Sequence, residues 1–343
     1  MFTKIRVEDA VGETLSHDIT EIRPGEFKGA AFRKGHTVCD EDICHLQKLG
    51  KNHLYLINLD TDEIHENQAA AILAEGLAGT GITWEDNPKE GKICLYAKTD
   101  GLLVVDKANL AAFNMIDEVM CASLHSYTLV KKGQQVAATR AIPLVMKRTP
   151  VERAAAIGKQ SRGIVSVHRL NQSKAGIVIT GNEVFNGLID DKFAPILNKK
   201  IQSLGSIVSD IIFAPDDEFL IQQAIEKHME NDCDLIILSG GMSVDPDDVT
   251  RKGIQNAGAV EMHYGAAALP GAMFMVAYIG KTPLLGVPAC GLHHKVTVLD
   301  LILPRILIGE HIGKKELAFM GHGGLCLDCP QCTHPHCPFG KGM

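Results

Sequence analysis

The residues with the most concentrated chemistry stand at the end of the chain. Cys326, Cys329, Cys332 and Cys337 form a Cys-x2-Cys-x2-Cys-x4-Cys run, with His322 just before it and His334 and His336 inside the last gap. Thiolates are soft, strong metal ligands, and a short span can bring four of them to one ion with little loop entropy to overcome. Zinc would take four thiolates, or three with one histidine, in a tetrahedral site. An iron–sulfur cluster is the rival. The first three cysteines match the bacterial ferredoxin run and Pro338 follows the last, but the final gap is one residue longer and the usual second run is absent. The remaining reading is a reduced, disordered tail. Disulfides fit least, because clustering of this kind in a cytosolic chain favours metal.

Two glycine loops suit a different ligand. Thr180-Gly181-Asn182-Glu183 and Ser239-Gly240-Gly241-Met242-Ser243 each follow a short apolar run. Glycines let backbone N–H groups approach an anion, and a helix N-terminus beyond them favours negative charge. Ser239, Ser243 and Thr250 add hydroxyl donors. Asp191 and Asp248 could hold Mg²⁺ against phosphate oxygens, or they could cap the helices that they precede. Asp190, Asp245 and Asp247 read as solvated acids at helix starts. Cys290, just past the apolar run Leu284–Val287, could meet a ligand or metal as a thiolate, or could be a small buried hydrophobe. His293 and His294 follow it. His17, His36 and His65 have no ligand spacing, and Lys131-Lys132 reads as a solvated turn.

These residues need elements to position them. Gly176–Thr180 is a short, continuously apolar run, as expected of a strand buried on both faces. Phe193, Ile196, Leu197, Ile201 and Leu204 then recur at helical spacing, with Pro195 in the first turns and Gly205 as a stop. Further strands are expected at 206–213, 234–238 and 284–287. Helices are expected after Asp216, as cap, and over 248–257. Strands separated by helices of this length imply parallel pairing with right-handed crossovers. The fold class is therefore α/β: a three-layer α/β/α domain with a mainly parallel sheet, preceded by an α+β, β-rich N-terminal region. In that region strands are expected at 53–57, 92–96 and 101–105, with two more pinned by a turn at Lys132-Gly133. Helices are expected from Asp40, as cap, to Leu49, and over 66–75. The domain plan is 1–80, 81–165, 166–312 and a Cys-rich tail, 313–343, too short to bury a core of its own.

Bulk composition excludes several classes. At 343 residues the chain allows two or three domains. One Trp and five Tyr are too few for a single-strand nucleic-acid platform, and a formal charge of −7 has the wrong sign for a general polyanion binder. A phosphate must then be held by local backbone donors or a few placed cations. No signal-peptide core opens the chain, and Val296–Gly309 is interrupted by Asp300 and Arg305, so the reading is a soluble, cytoplasmic protein without membrane or nucleic-acid partners.

Taken together, Thr180-Gly181-Asn182-Glu183-Val184, Gly187-Leu188-Ile189-Asp190-Asp191 and Ser239 through Thr250 resemble the molybdopterin-binding domain family. This family includes molybdopterin molybdotransferase, the adenylyltransferase preceding it, and the N-terminal domain of the competence-damage protein. The resemblance covers residues 176–309 well and 1–165 more loosely. It implies a site for molybdopterin or its nucleotide. The Gly240-Gly241 loop would hold the terminal phosphate, Glu183 would hydrogen-bond the pterin, and Asp191 and Asp248 would be catalytic through Mg²⁺. Thr180, Gly181, Asn182, Ser239, Ser243, Thr250, Pro270, Gly271 and Cys290 would complete the cofactor-binding set. It also implies a homo-oligomer and a molybdo- or tungsto-enzyme as client. The chain departs from the molybdotransferase pattern in three places. Pro270-Gly271-Ala272-Met273 lacks the lysine of Pro-Gly-Lys-Pro, Pro288-Ala289-Cys290-Gly291 replaces Pro-Gly-Asn-Pro, and Phe193 stands where an asparagine is usual. The functions open are molybdate insertion or cofactor transfer, a non-catalytic carrier or sensor with a metal-binding tail, and a competence-damage-type nucleotide pyrophosphatase.

Overall fold

The structure is a computed structural model that describes residues 2–23, 26–57, 59–85, 87–242 and 249–342. The chain divides into two compact units. The first comprises residues 1–96, 106–123 and 135–165, and the second 97–105, 124–134 and 166–343.

Among the described residues, the first unit is built from short strands and four α-helices. Phe2–Arg6 pairs with His53–Ile57, and Ile19–Arg23 with Phe27–Phe32. Val7, Leu15, Ile19, Phe32, Leu46 and Leu54 share one small core. A four-stranded sheet runs in the order Ile82–Trp84, Lys92–Ala97, Gln135–Ala141, Val119–Ser123. Helices Glu66–Leu77 and Arg148–Gln160 cross closely, because a Cβ on Gly158 would lie 1.8 Å from the Gly76 carbonyl oxygen. Only hydrogen at position 158 allows that approach.

Two local expectations change here. Helix Asp40–Lys48 is capped one residue earlier: the Cys39 N–H donates to the Asp42 carboxylate at 2.9 Å, a tie within the first turn, and Asp40 is simply its first residue. The strands flanking Lys132-Gly133 do not form a hairpin. Thr128–Val130 pairs with Gly101–Val105, whereas Gln135–Ala141 pairs with Lys92–Ala97 and Val119–Ser123. Gly133, at φ +81°, does make the expected turn, but the chain leaves it for a different sheet.

The second unit holds a six-stranded sheet. Its strands are β1 (Lys174–Thr180), β2 (Ile207–Ala214), β3 (Leu235–Ser239), β4 (Val260–Tyr264), β5 (Met275–Ile279) and β6 (Thr282–Val287). The order is β2-β1-β3-β6-β5-β4. Strands β2, β1, β3 and β6 are parallel, and β5 and β4 continue the sheet antiparallel. The central strands are apolar throughout because helices cover both faces. On one face, α1 (Phe193–Ser203) and α4 (Val298–Leu307) pack over Ile177, Ile237 and Leu285. On the other, α2 (Glu218–Glu230) and α3 (Thr250–Asn256) pack over Val178, Ile236 and Leu238. This is the α/β architecture expected. Helix α2 starts one residue later than expected: the Asp217 carboxylate accepts the N–H groups of Phe219 and Leu220, both at 2.9 Å, and serves as the cap in place of Asp216.

A buried histidine supports the strand that leads to the first glycine loop. His228, on α2, is fully buried, and its Nε2–H donates to the Ile177 carbonyl 3.1 Å away. A Cβ on Gly176 would meet the imidazole at 2.4 Å, so the glycine is what admits the ring.

After helix α5 (Lys314–Phe319) the chain has no further helix or strand among the described residues, yet it is docked. Phe339, 2% exposed, is part of the core beneath α4. The Leu269 N–H donates to the Gly324 carbonyl and the Cys326 N–H to the Leu269 carbonyl, both at 2.8 Å. Among the described residues, no helix is long and apolar enough to cross a membrane.

Candidate functional site

The parallel strands β1 and β3 end side by side, Ile179 opposite Ser239, and the two glycine loops leave from those ends. Beyond them lies a cavity of about 590 Å³, walled by Thr180, Asp191, Lys192, Phe193, Gly240 and Leu292, with the Gly187–Asp190 turn at its rim. This is where an open parallel sheet presents a ligand: outside the carboxyl ends of adjacent strands.

Backbone conformation holds the two loops together. Gly240 and Gly241 have φ of +99° and +53°. A Cβ on Gly240 would lie 2.1 Å from the Thr180 carbonyl oxygen, and one on Gly241 would lie 2.4 Å from Thr250 Oγ1. Behind them, the buried hydroxyls of Thr180 and Thr250 are 3.0 Å apart, and Thr250 Oγ1 donates to the Gly240 carbonyl at 3.1 Å. The two threonines therefore lock loop to loop.

The expected site residues separate into distinct roles. Thr180, Asp191 and Gly240 face one cavity, with Thr250 supporting them from behind. Gly181, at φ +137°, opens the turn into the short helix Asn182–Phe185. Asn182 and Asp216 tie their loops together reciprocally, each backbone N–H donating to the other's side chain, at 3.0 and 3.2 Å. Glu183 is exposed, and its backbone carbonyl receives the N–H groups of Leu188 and Ile189. Ser239 is buried, and its hydroxyl donates to the Val287 carbonyl at 3.3 Å, binding β3 to β6. Asp191 caps α1, its two oxygens accepting from the Phe193 and Ala194 N–H groups at 2.9 Å. An N-cap leaves outward lone pairs on the carboxylate, so capping and ligand contact are compatible. Pro270 and Gly271 pack elsewhere: a Cβ on Gly271 would meet Val298 at 2.7 Å, and the Val298 N–H donates to the Pro270 carbonyl at 3.3 Å. Cys290 is half-buried, and burial pushes its thiol pKa up. Ser243 and Asp248, like Asp245 and Asp247, lie outside the described residues.

Sequence reasoning missed three parts of this cavity. Lys192 lines it and forms no ion pair among the described residues, so a cation is present although the family lysine is replaced by Ala272. Phe193, read only as a lost asparagine, forms a wall. Leu188 and Ile189, 74% and 56% exposed, stand at the mouth. Two exposed apolar residues beside a glycine turn were the available signal.

The four tail cysteines line one further cavity, of about 460 Å³, together with His293 and His294. Among the described residues, no three His, Cys, Asp or Glu side chains are placed to hold a metal ion.

Residues 176–307 match the family model described as "Probable molybdopterin binding domain", and residues 4–58 match a model for a domain of unknown function. The chain thus carries a domain of the molybdopterin-binding family, as the resemblance over 176–309 implied. Its relatives diverge in name. A CinA-like protein of Petrotoga mobilis is 36% identical over 84 residues, 24% of this chain and 21% of that protein. A molybdopterin molybdenumtransferase of Haemophilus influenzae is 28% identical over 163 residues, 46% of this chain and 39% of that protein. The chain therefore matches well under half the length of either. Among solved structures, the CinA protein of Thermoplasma acidophilum aligns at 16% identity with a TM-score of 0.36, covering 40% of this chain and 99% of that one. The molybdopterin biosynthesis enzyme MoaB of Thermus thermophilus aligns at 18% identity and 0.35, covering 40% and 98%.

Proposed function

We propose that the second unit binds molybdopterin or its nucleotide in the cavity at the ends of β1 and β3, as a protein of molybdenum-cofactor biosynthesis. The observation that carries this reading is the double-glycine turn at Gly240-Gly241, locked to Thr180 through Thr250 and opening on the same cavity as Lys192. Such a turn suits a terminal phosphate: a loop after a strand that admits close backbone approach, with a cation opposite. The larger pterin would lie toward Phe193, Leu292 and the Leu188-Ile189 rim. A divalent cation here would be held by Asp190 or Asp191 together with the ligand's own phosphate, which is how Mg²⁺ is usually bound. Within this reading, the loss of the family lysine and of the Pro-Gly-Asn-Pro loop favours holding or handing over the cofactor above inserting molybdate.

The test is to purify the full chain, oxidise the bound fraction and look for pterin fluorescence, then titrate molybdopterin calorimetrically. Stoichiometric binding supports the proposal, and active cofactor formed on adding Mg²⁺ and molybdate adds insertion to it. The similarity to CinA-like proteins motivates one rival. Hydrolysis of a pyrophosphate-linked nucleotide without pterin affinity would replace this reading.

A further inference from the structure

The second cavity has a different construction. Its lining includes Cys326, Cys329, Cys332 and Cys337 together with His293 and His294. The segment that carries the thiols has no helix or strand, but it is pinned at both ends. At its start, Leu325 bridges to Leu269 and the Cys326 N–H donates to the Leu269 carbonyl at 2.8 Å. At its end, Phe339 is in the core, the Gly340 N–H donates to the Gly323 carbonyl at 2.9 Å, and Lys341 Nζ donates to Thr128 Oγ1 at 3.0 Å. The loop's closure is thus accomplished before any ligand binds, and that is the main entropic cost of assembling ligands from one segment. What lies between the pins is a segment whose four cysteines all line one cavity.

We propose that this cavity receives a thiophilic metal centre, a zinc ion or an iron–sulfur cluster, ligated by Cys326, Cys329, Cys332 and Cys337, and that its loading orders the 289–296 turn. Each ligating thiol gives up its proton to solvent; zinc binds with no redox change, and a cluster takes its two ferric ions from ferric iron supplied with the ferrous iron and sulfide, so the protein is not oxidised. Because the four sulfurs do not yet surround one point, the segment between the pins turns its thiols inward to reach metal–sulfur distances of about 2.3 Å. The connection to the turn is direct. His293 and His294 share this cavity, and their N–H groups both donate to the Cys290 carbonyl, at 3.1 and 3.0 Å. His294 Nδ1 stands 3.8 Å from the Asp328 carboxylate, between the first two cysteines. Leu292, one residue earlier, is a wall of the glycine-loop cavity. Tail and ligand cavity are therefore joined through three consecutive residues.

The full chain, purified anaerobically, is divided and loaded with zinc or with a mixture of ferric and ferrous iron and sulfide, desalted and analysed for metal. We expect about one zinc per chain with no colour, or iron with acid-labile sulfide and visible absorption. Cys329→Ser with Cys332→Ser should lower retention at least tenfold. Cys329→Ser alone provides a milder variant, and the exposed pair Cys39→Ser with Cys44→Ser should retain metal fully. Failure of the wild-type chain to retain either metal overturns the centre. So does full retention by the double serine variant with unchanged circular dichroism and melting. Stripping the metal should raise amide exchange over residues 289–296 several-fold, and unchanged exchange there overturns the ordering. None of these readouts involves a pterin, so failure here and failure of the molybdopterin reading are separable.

Discussion

The two cavities of the second unit are built by opposite strategies. The glycine-loop cavity is shaped by regular structure: two buried parallel strands end in register, and backbone torsions and two buried hydroxyls set the loops that leave them. The cysteine cavity is shaped by an irregular segment pinned at its ends, by backbone hydrogen bonds, the Lys341–Thr128 side-chain hydrogen bond and one buried ring. The first can present fixed donors to an anion without rearranging. The second needs its ligand to complete it. Preorganised backbone suits a ligand that arrives intact, such as a phosphate, whereas an end-pinned loop of thiols suits an ion that supplies the missing bonds itself.

If this contrast is right, the glycine-loop cavity should be intolerant of one added carbon. Gly240→Ala places a Cβ about 2.1 Å from the Thr180 carbonyl while holding φ at +99°. Overpacking costs about 1–3 kcal/mol and a strained backbone about as much again, so the expected loss is about 2–6 kcal/mol. Pterin affinity should fall more than tenfold. Gly187→Ala, on the rim of the same cavity at φ +68° with nothing within 4 Å, should cost only the left-handed backbone, about 1 kcal/mol. Equal losses for the two in denaturant melts would show that close approach does not shape the site.

On the tail side, a single contact should matter most. Phe339→Ala removes a ring that is 2% exposed, and such truncations cost about 3–5 kcal/mol. The loss should be local, appearing as fast amide exchange over 320–342 while the sheet stays protected. If the sheet melts with the tail, the two unfold as one cooperative unit and the contrast between the regions disappears. A smaller loss is expected where the two glycine loops are locked. Thr250→Val keeps the shape but leaves the Gly240 carbonyl and the Thr180 hydroxyl without this partner, at about 1–3 kcal/mol by urea titration.

The same contrast explains what could be read from the sequence. Strand β1, the helical spacing of Phe193–Leu204 and the glycine loops follow from local chemistry, so the architecture of 176–309 and the placing of Thr180, Asp191 and Gly240 on one cavity were legible. The antiparallel pair β4–β5 carries no crossover pattern and was not anticipated. Cap positions at Asp217 and Cys39 depend on where the first helical turn closes, and Asp216 and Asp40 are equally good caps by residue type alone. The separation of 128–130 from 135–141 into different sheets is a long-range choice that a turn signal at Gly133 does not encode. Lys192 and Leu292 reach the cavity only through tertiary packing. The spacing of the tail cysteines was legible, but the fact that Phe339 anchors them was not, since a single aromatic in a polar tail has no periodicity to reveal its partner.

The smallest expected effect tests whether the rigid region depends on a neutral histidine. His228 donates from Nε2 to the Ile177 carbonyl of β1, while its Nδ1 has no hydrogen-bond partner in the slot against Gly176. Protonation would put a second N–H into that slot, and burial accordingly pulls the pKa of His228 below its ordinary value. A histidine depressed in the folded state binds fewer protons than it does unfolded. Its contribution is therefore complete above the unfolded pKa of about 6.5 and is lost as pH falls below it, toward the lower folded pKa. Burial depresses His17, His65 and His334 in the same direction, so stability should fall with acid for the whole chain. His228→Gln can keep a donor for Ile177 and removes one titrating group. The acid limb of its stability profile, measured by urea melts between pH 5 and 7.5, should be shallower than that of the wild-type chain, and amide protection of β1 should become less dependent on pH. An unchanged slope would place the acid sensitivity at the other three histidines and leave the glycine-loop strand indifferent to protonation behind it.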